Sequence, residues 1–308
     1  MKHNANKCSL PPRGKGRGTP YSHPLPYQTM AAFLPRYFLA AELCNSYLPN
    51  TGKSTMEQIY KQVYKIAALL KKSSYAVILT GSGLSDKEDK LNFRSPGHGM
   101  WTMLDPDDFT IQRFKENPNA FYEVGAPFFS MLEDKPGEAH KAIAELEKKG
   151  LVKTIITKNI DGFHQEAGSN NVLEIYGTLR SASCTSCEYK VDTEKIVDEI
   201  EKKHLPKCPD CGQPLKPDVV LFGEPLTEDY QKAKHEIEKA DLVLVIGTAI
   251  ITTPTKELLA DSKNLVIINN DSTTQDSRAK EIIINYPDKV LKLLLEALNE
   301  DRKLTQER

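Results

Sequence analysis

Three things are scarce in this 308-residue chain. No apolar run reaches the roughly 20 residues needed to span a bilayer, so a helical membrane protein is not expected. No charge of one sign dominates. The 41 Lys/Arg face 42 Asp/Glu, a formal net charge of −1, and this gives no whole-molecule case for nucleic-acid binding. Cysteines number only six. With no convincing secretion signal, so few in a chain this long do not suggest a disulfide scaffold. What is present is ordinary for a globular chain, with 39% hydrophobic and 27% charged residues. The length allows one large or two smaller domains.

The even charge balance hides a split. Residues 1–55 hold seven Lys/Arg and one acid (Glu42), a net of +6, which leaves 34 Lys/Arg and 41 Asp/Glu, a net of −7, for 56–308. The first segment also carries seven of the 19 prolines, and PPRGKGRG (11–18) has no hydrophobic period. Residues 1–55 therefore read as a tail. A targeting segment or a basic arm would fit its charge. Met56 stands directly before the first strong helical pattern, which favours upstream sequence omitted by the native start.

Beyond the tail, Glu57–Lys72 repeats apolar residues at helical spacing through Ile59, Val63, Ile66, Ala67 and Leu70. Tyr75–Thr80, Lys153–Thr157, Asp241–Ile246 and Leu265–Asn269 are short continuous apolar runs, as in buried parallel strands. Val172–Ile175 and Asp218–Phe222 are shorter strand candidates. Helices are expected around Asp107–Val124, Glu138–Lys149, Thr193–Lys203 and Lys289–Leu298. Strands alternating with helices imply an α/β fold, a Rossmann-like parallel sheet with helices on both faces.

Cys184, Cys187, Cys208 and Cys211 interrupt that alternation with the spacing Cys-x2-Cys-x20-Cys-x2-Cys. Two such pairs can close a tetrahedral thiolate shell around one Zn²⁺, leaving no open position for chemistry. The expected role is structural, in a small inserted zinc-ribbon/helical domain.

Four segments follow predicted strands: Gly81-Ser82-Gly83-Leu84-Ser85, TKNIDGFH (157–164), Gly247-Thr248-Ala249, and Asn269-Asn270. A glycine pair alone is a weak signal, and Asn159 and Asp161 could simply cap a helix. All four lie at C-terminal strand ends, the edge where open parallel sheets bind nucleotides.

These residues resemble the sirtuin family. GSGLS is similar to its GAGIS loop, NFR (92–94) to DFR, TKNIDGFH to TQNIDGLH and IYGTL (175–179) to LHGTL. The four cysteines, KPDVVLFGE (216–224) and IGTA follow in the family's order. The match covers nearly all of 57–298. It implies a sirtuin-type domain over 56–308, with Rossmann-like segments 56–94, 151–183 and 212–308, a helical insertion at about 95–150 and a zinc ribbon over 184–211.

The resemblance further implies an NAD-dependent protein-lysine deacylase that consumes NAD as co-substrate and takes an acylated lysine of a protein or peptide as partner. One structural zinc, no membrane and no nucleic acid are implied, and reduced thiols suit a cytoplasmic location. Gly81, Ser82, Gly83, Ser85, Phe93, Arg94, Lys158, Gly247, Thr248, Ala249 and Asn269 are the implied cofactor residues. Asn159 and Asp161 would hold the ribose and the nicotinamide amide. Val219, Val220, Phe222, Gly223 and Glu224 would line the peptide channel.

Three departures fall in the implied cleft. Tyr176 stands where the family has its base histidine, Asn92 where it has Asp, and Lys158 where it has Gln. General-base help is worth about 10²–10⁴ in rate, so slow deacylation is expected. Asn92 removes a negative charge and Lys158 adds a positive one, a local change of about +2 beside a cationic nicotinamide ring. His164, His98 and His140 are the other base candidates, with capping or packing the favoured reading for each. An ADP-ribosyltransferase or NAD glycohydrolase on the same fold, and a non-catalytic binder of NAD, ADP-ribose or acyl-lysine, are the alternatives.

Overall fold

A computed structural model of the chain describes residues 55–84, 105–202, 204–250 and 253–306. The expectations for 1–54, Ser85, Asn92, Phe93, Arg94 and His98 lie outside the described residues.

Helix α1 (Met56–Lys72) starts where a capping box closes: Gln58 N–H donates to Thr55 Oγ1 at 3.3 Å and Thr55 N–H donates to Gln58 Oε1 at 2.9 Å. Its apolar stripe is buried as the periodicity predicts. Six parallel strands then build one sheet: β1 (Ala76–Thr80), β2 (Thr154–Thr157), β3 (Val172–Glu174), β7 (Leu242–Ile246), β8 (Leu265–Asn269) and β9 (Ala279–Ile284). Their order is β3-β2-β1-β7-β8-β9. Counted within this sheet alone, that is the doubly wound order, with its switch point between β1 and β7.

The strands are apolar on both faces because both are covered. Ile78, Ile155, Leu244, Ile246, Val266 and Ile268 pack with α1, α4 (Glu138–Lys148) and α9 (Pro287–Gln306). The alternate residues Val77, Leu79, Ile156, Val243, Val245 and Ile267 pack with α7 (Glu228–Lys239) and with Leu258 of α8 (Thr253–Leu258).

A second, three-stranded antiparallel sheet has the order β5-β4-β6: β5 (Lys190–Asp192), β4 (Gly177–Cys184) and β6 (Leu215–Val219). The strand expected at Asp218–Phe222 is therefore three residues earlier, and it pairs with β4 from Cys184↔Leu215 to Gly177↔Val219 rather than joining the large sheet. Between the sheets in sequence, α2 (Ile111–Glu116) and α3 (Pro118–Phe129) replace the single helix expected at 107–124. The break falls at Asn117, the residue before Pro118, where the proline ring disfavours helical backbone. Phe109, Phe114, Phe121, Tyr122, Phe128 and Phe129 form an aromatic core there, joined by Ile200 of α6 (Val197–Glu201). A 3₁₀ turn at Thr193–Lys195 and α6 together occupy the place of the expected helix at 193–203. Among the described residues no helix is long and apolar enough to cross a membrane.

Candidate active site and metal centre

The metal centre is built by two hairpin-like knuckles. Cys184 ends β4, and Ser186 N–H points back at its sulfur at 3.4 Å. Cys208 N–H donates to Gln213 O at 2.8 Å, and Gly212, with φ +75°, closes that turn by donating to Cys208 O at 2.9 Å. All four sulfurs lie within 4.8 Å of one another. The separations Cys184–Cys211, Cys187–Cys208 and Cys187–Cys211 are 3.4, 3.6 and 3.7 Å. Four thiolates at Zn–S bonds of ~2.3 Å would stand about 3.8 Å apart in a tetrahedron. The residues fit zinc as the spacing predicts.

The cleft is built by backbone contact at the switch point. Gly83 N–H donates to Gly247 O at 2.9 Å, joining the turn after β1 to the turn after β7. Gly247 has φ +63°, and a Cβ on it would sit 2.4 Å from Leu84 N, so only glycine permits this approach. Thr248 is buried beside the turn, and Ala249 is exposed. Asn269, at the end of β8, donates through Nδ2 to Asp271 O at 2.9 Å.

The loop after β2 is tied into the same place. Asn159 is 8% exposed; its N–H donates to Thr157 Oγ1 at 3.1 Å and its Nδ2 to Gly81 O at 3.2 Å. Lys158 Nζ donates to Thr248 Oγ1 at 3.1 Å. Asp161, 5% exposed, accepts from the N–H of Phe163, the first residue of α5 (Phe163–Glu166), at 2.9 Å. Burial pushes its carboxyl up to about 6, against the opposing pull of the Phe163 N–H and the Arg180 guanidinium.

That shift has a testable consequence. Asp161 titrates at about 6 when folded, against 3.8 for the unperturbed group. The folded state therefore binds the proton more tightly, and its ionisation penalty is absent below pH 3.8 and complete above about pH 6. Asp161→Asn keeps an acceptor oxygen for Phe163 N–H and carries no charge. Its thermal stability relative to the wild-type chain is expected to rise by about 2 kcal/mol between pH 4.5 and 7.5. A pH-independent difference in unfolding scans would refute this.

Tyr176 is half-buried against the cluster that contains Tyr230, and Val220 N–H donates to its carbonyl at 2.9 Å. The next residue, Gly177, has φ +76°, and a Cβ there would lie 2.0 Å from Asp218 O. This contact sets Tyr176 beside the segment after β6. Within that segment Val219 is buried in the aromatic core, whereas Phe222 is 51% exposed. Phe222 is held by its backbone, donating to Phe109 O and accepting from Ile111 N–H, both at 3.0 Å. Gly223 is exposed with φ +89°. Glu224 accepts from Leu221 N–H at 2.8 Å and pairs with Lys216 at 3.1 Å.

Thr80 and Arg180 position the strand ends but were not singled out by sequence. Thr80 Oγ1 lies 2.9 Å from both Thr157 Oγ1 and His164 Nε2, so the ends of β1 and β2 are pinned to α5. Their only sequence signal is a threonine closing each apolar run. His164 and His140 are fully buried with ring centroids 4.9 Å apart. Burial lowers them to about 3 and about 4. His164 therefore packs behind the strand ends. Arg180 donates through Nε to Asp161 O at 2.7 Å and pairs with Glu166 at 3.0 Å.

The family model that matches is described as the Sir2 family and covers residues 81–254. The chain is 38% identical over 227 residues to "NAD-dependent protein deacetylase 2" of Caldanaerobacter subterraneus subsp. tengcongensis, covering 72% of this chain and 91% of that protein. A solved structure titled "Structural Basis for the Mechanism and Regulation of Sir2 Enzymes" is similar at TM-score 0.72 and 36% identity, over 79% of this chain and 98% of that one. A Sir2 protein with one histidine mutated to tyrosine, solved with a p53 peptide and NAD, is similar at TM-score 0.68 and 32% identity, over 76% and 97% of the two chains.

Proposed function

This chain belongs to the Sir2 family, and on that premise we propose that it is an NAD-dependent protein deacylase working slowly because a tyrosine stands where the family base does. The observation that carries the reading is the junction of the β1, β2 and β7 end loops at one switch point, with Tyr176 fixed beside the 219–224 segment.

NAD supplies the ADP-ribose that receives the acyl group, and its nicotinamide is released. The chain's own residues bind, orient and move protons. The turns at Gly81–Leu84 and Gly247–Thr248, packed backbone to backbone with no side chain between them, leave room for the diphosphate. Asn159, locked onto Gly81, and Asp161, locked onto Phe163, hold the ribose and nicotinamide amide. The segment from Val219 to Glu224 takes the extended peptide, with Phe222 as its exposed apolar contact. Tyr176 hydrogen-bonds a ribose hydroxyl but lacks the basic ring nitrogen with which an imidazole would take its proton. The tyrosine-bearing Sir2 protein solved with NAD and peptide supports retained binding of both ligands. The zinc shell has no place for a ligand and holds the small sheet. A thiolate site of this kind suits a reducing compartment, which supports a cytoplasmic location.

Incubating the full chain with NAD⁺, with and without an acetyl-lysine peptide, tests this. Slow nicotinamide release that requires the peptide, matched by loss of the acetyl mass, is the expected result. Cleaving the nicotinamide bond needs no such base, so Tyr176 also favours a second reading, transfer to protein or water. ADP-ribose mass on the peptide, or release without peptide, would establish that reading instead. Binding without release would make the chain a non-catalytic reader.

A further inference from the structure

Lys158 is the first residue after β2, and its N–H donates to Thr80 O at 3.1 Å, so its backbone is fixed to the end of β1. Its side chain then reaches across the end of β1 to Thr248, where Nζ donates to Oγ1 at 3.1 Å. Because β1 lies between β2 and β7, the ammonium spans the switch point itself. Beneath it are the glycine turns. A Cβ on Gly81 would sit 2.7 Å from Thr248 Cβ. Neighbouring Asn159 is bonded to Gly81 O. The ammonium is thus between the residue that faces the ribose and nicotinamide and the residue that faces the diphosphate.

A fixed positive charge at that place acts with opposite sign on the two halves of the co-substrate. It attracts the diphosphate, which every ADP-ribosyl ligand shares, and repels a cationic ring, which only oxidised nicotinamide nucleotides carry. Partial burial of Lys158 weakens screening by solvent. We propose that Lys158 makes the cleft select ADP-ribosyl ligands by the charge of the group beyond the diphosphate, holding those with a neutral group, or none, more tightly than NAD⁺. The inference rests on the cleft reading above and adds a preference to it. The chain binds the product class, which has lost the cationic ring, better than its oxidised co-substrate, so product is retained.

Titration calorimetry of the full chain with NAD⁺, NADH and ADP-ribose separates ring charge from ring size, since NADH keeps the ring and loses the charge. NADH is expected to bind about tenfold more tightly than NAD⁺, with ADP-ribose at least equal to NADH and the gap narrowing at high salt. Lys158→Gln should bring NADH and NAD⁺ to within about twofold of each other, and Lys158→Arg should keep the gap. A wild-type gap under about twofold, or a tenfold gap that survives Lys158→Gln, overturns the selection and leaves the cleft reading standing. If none of the three nucleotides binds, the cleft reading fails and the inference fails with it.

Discussion

Replacing Tyr176 by histidine is expected to raise peptide deacetylation by about tenfold or more, toward the roughly 10²–10⁴ that general-base help supplies. An imidazole titrates near 6.5 and a phenol near 10, so at neutral pH only the imidazole offers a vacant lone pair of matched basicity. The site should accept the change without refolding. Tyr176 is held by its main chain, through the Val220 N–H and the close approach of Gly177 to Asp218. Its ring is only half-buried, and the smaller histidine fits the same space. The gain should appear in acetyl loss from the peptide, with nicotinamide release in the first turnover little altered. A faster rate that falls away below about pH 6.5 would identify the new imidazole as the base. No gain at all would mean that Lys158, or Asn92 outside the described residues, limits the reaction before the base is needed.

Cys208→Ser is expected to lower the zinc content from about one ion per chain to none and to destabilise the small sheet by several kcal/mol. The reason is how little else holds that end of the small sheet together. Among the described residues the buried apolar cluster there is just Ala182, Cys208 and Leu215, with Cys184, Tyr189, Val191 and Ile196 partly covered around them. Cys208 is 2% exposed, so its loss removes packing as well as a ligand. The damage should spread along β4 and β6, whose far end carries Gly177 and Val219 beside Tyr176. Metal analysis with thermal unfolding checks this, and chelation of the wild-type chain should reproduce the same loss without a mutation. A chain that is metal-free, equally stable and equally active would refute the structural role.

Much of the large sheet was legible because its strands are buried on both faces. AVILT, LVLVI and LVIIN read as continuous apolar runs, and a run of that length between turn residues has few other uses. Helix α1 was legible for a related reason, since one buried stripe imposes one period. The cysteine tetrad needed only its spacing. Strand β4 escaped because GTLRSASC is small and polar on one side, as a half-exposed strand is. The one-helix reading of 107–124 failed at Asn117–Pro118, where a local proline effect overrides a good apolar period.

By itself, then, the sequence determined the α/β class, the four strand-end segments and the zinc ligands, because each depends on residues close together in the chain. Only the tertiary structure decided what those segments do to one another. Lys158 crossing to Thr248, Asn159 locking Gly81, and Thr80 joining Thr157 to His164 link residues 77 to 90 positions apart. Such contacts follow from the strand order β2-β1-β7, which is set by how buried faces pack and is not encoded in any local pattern.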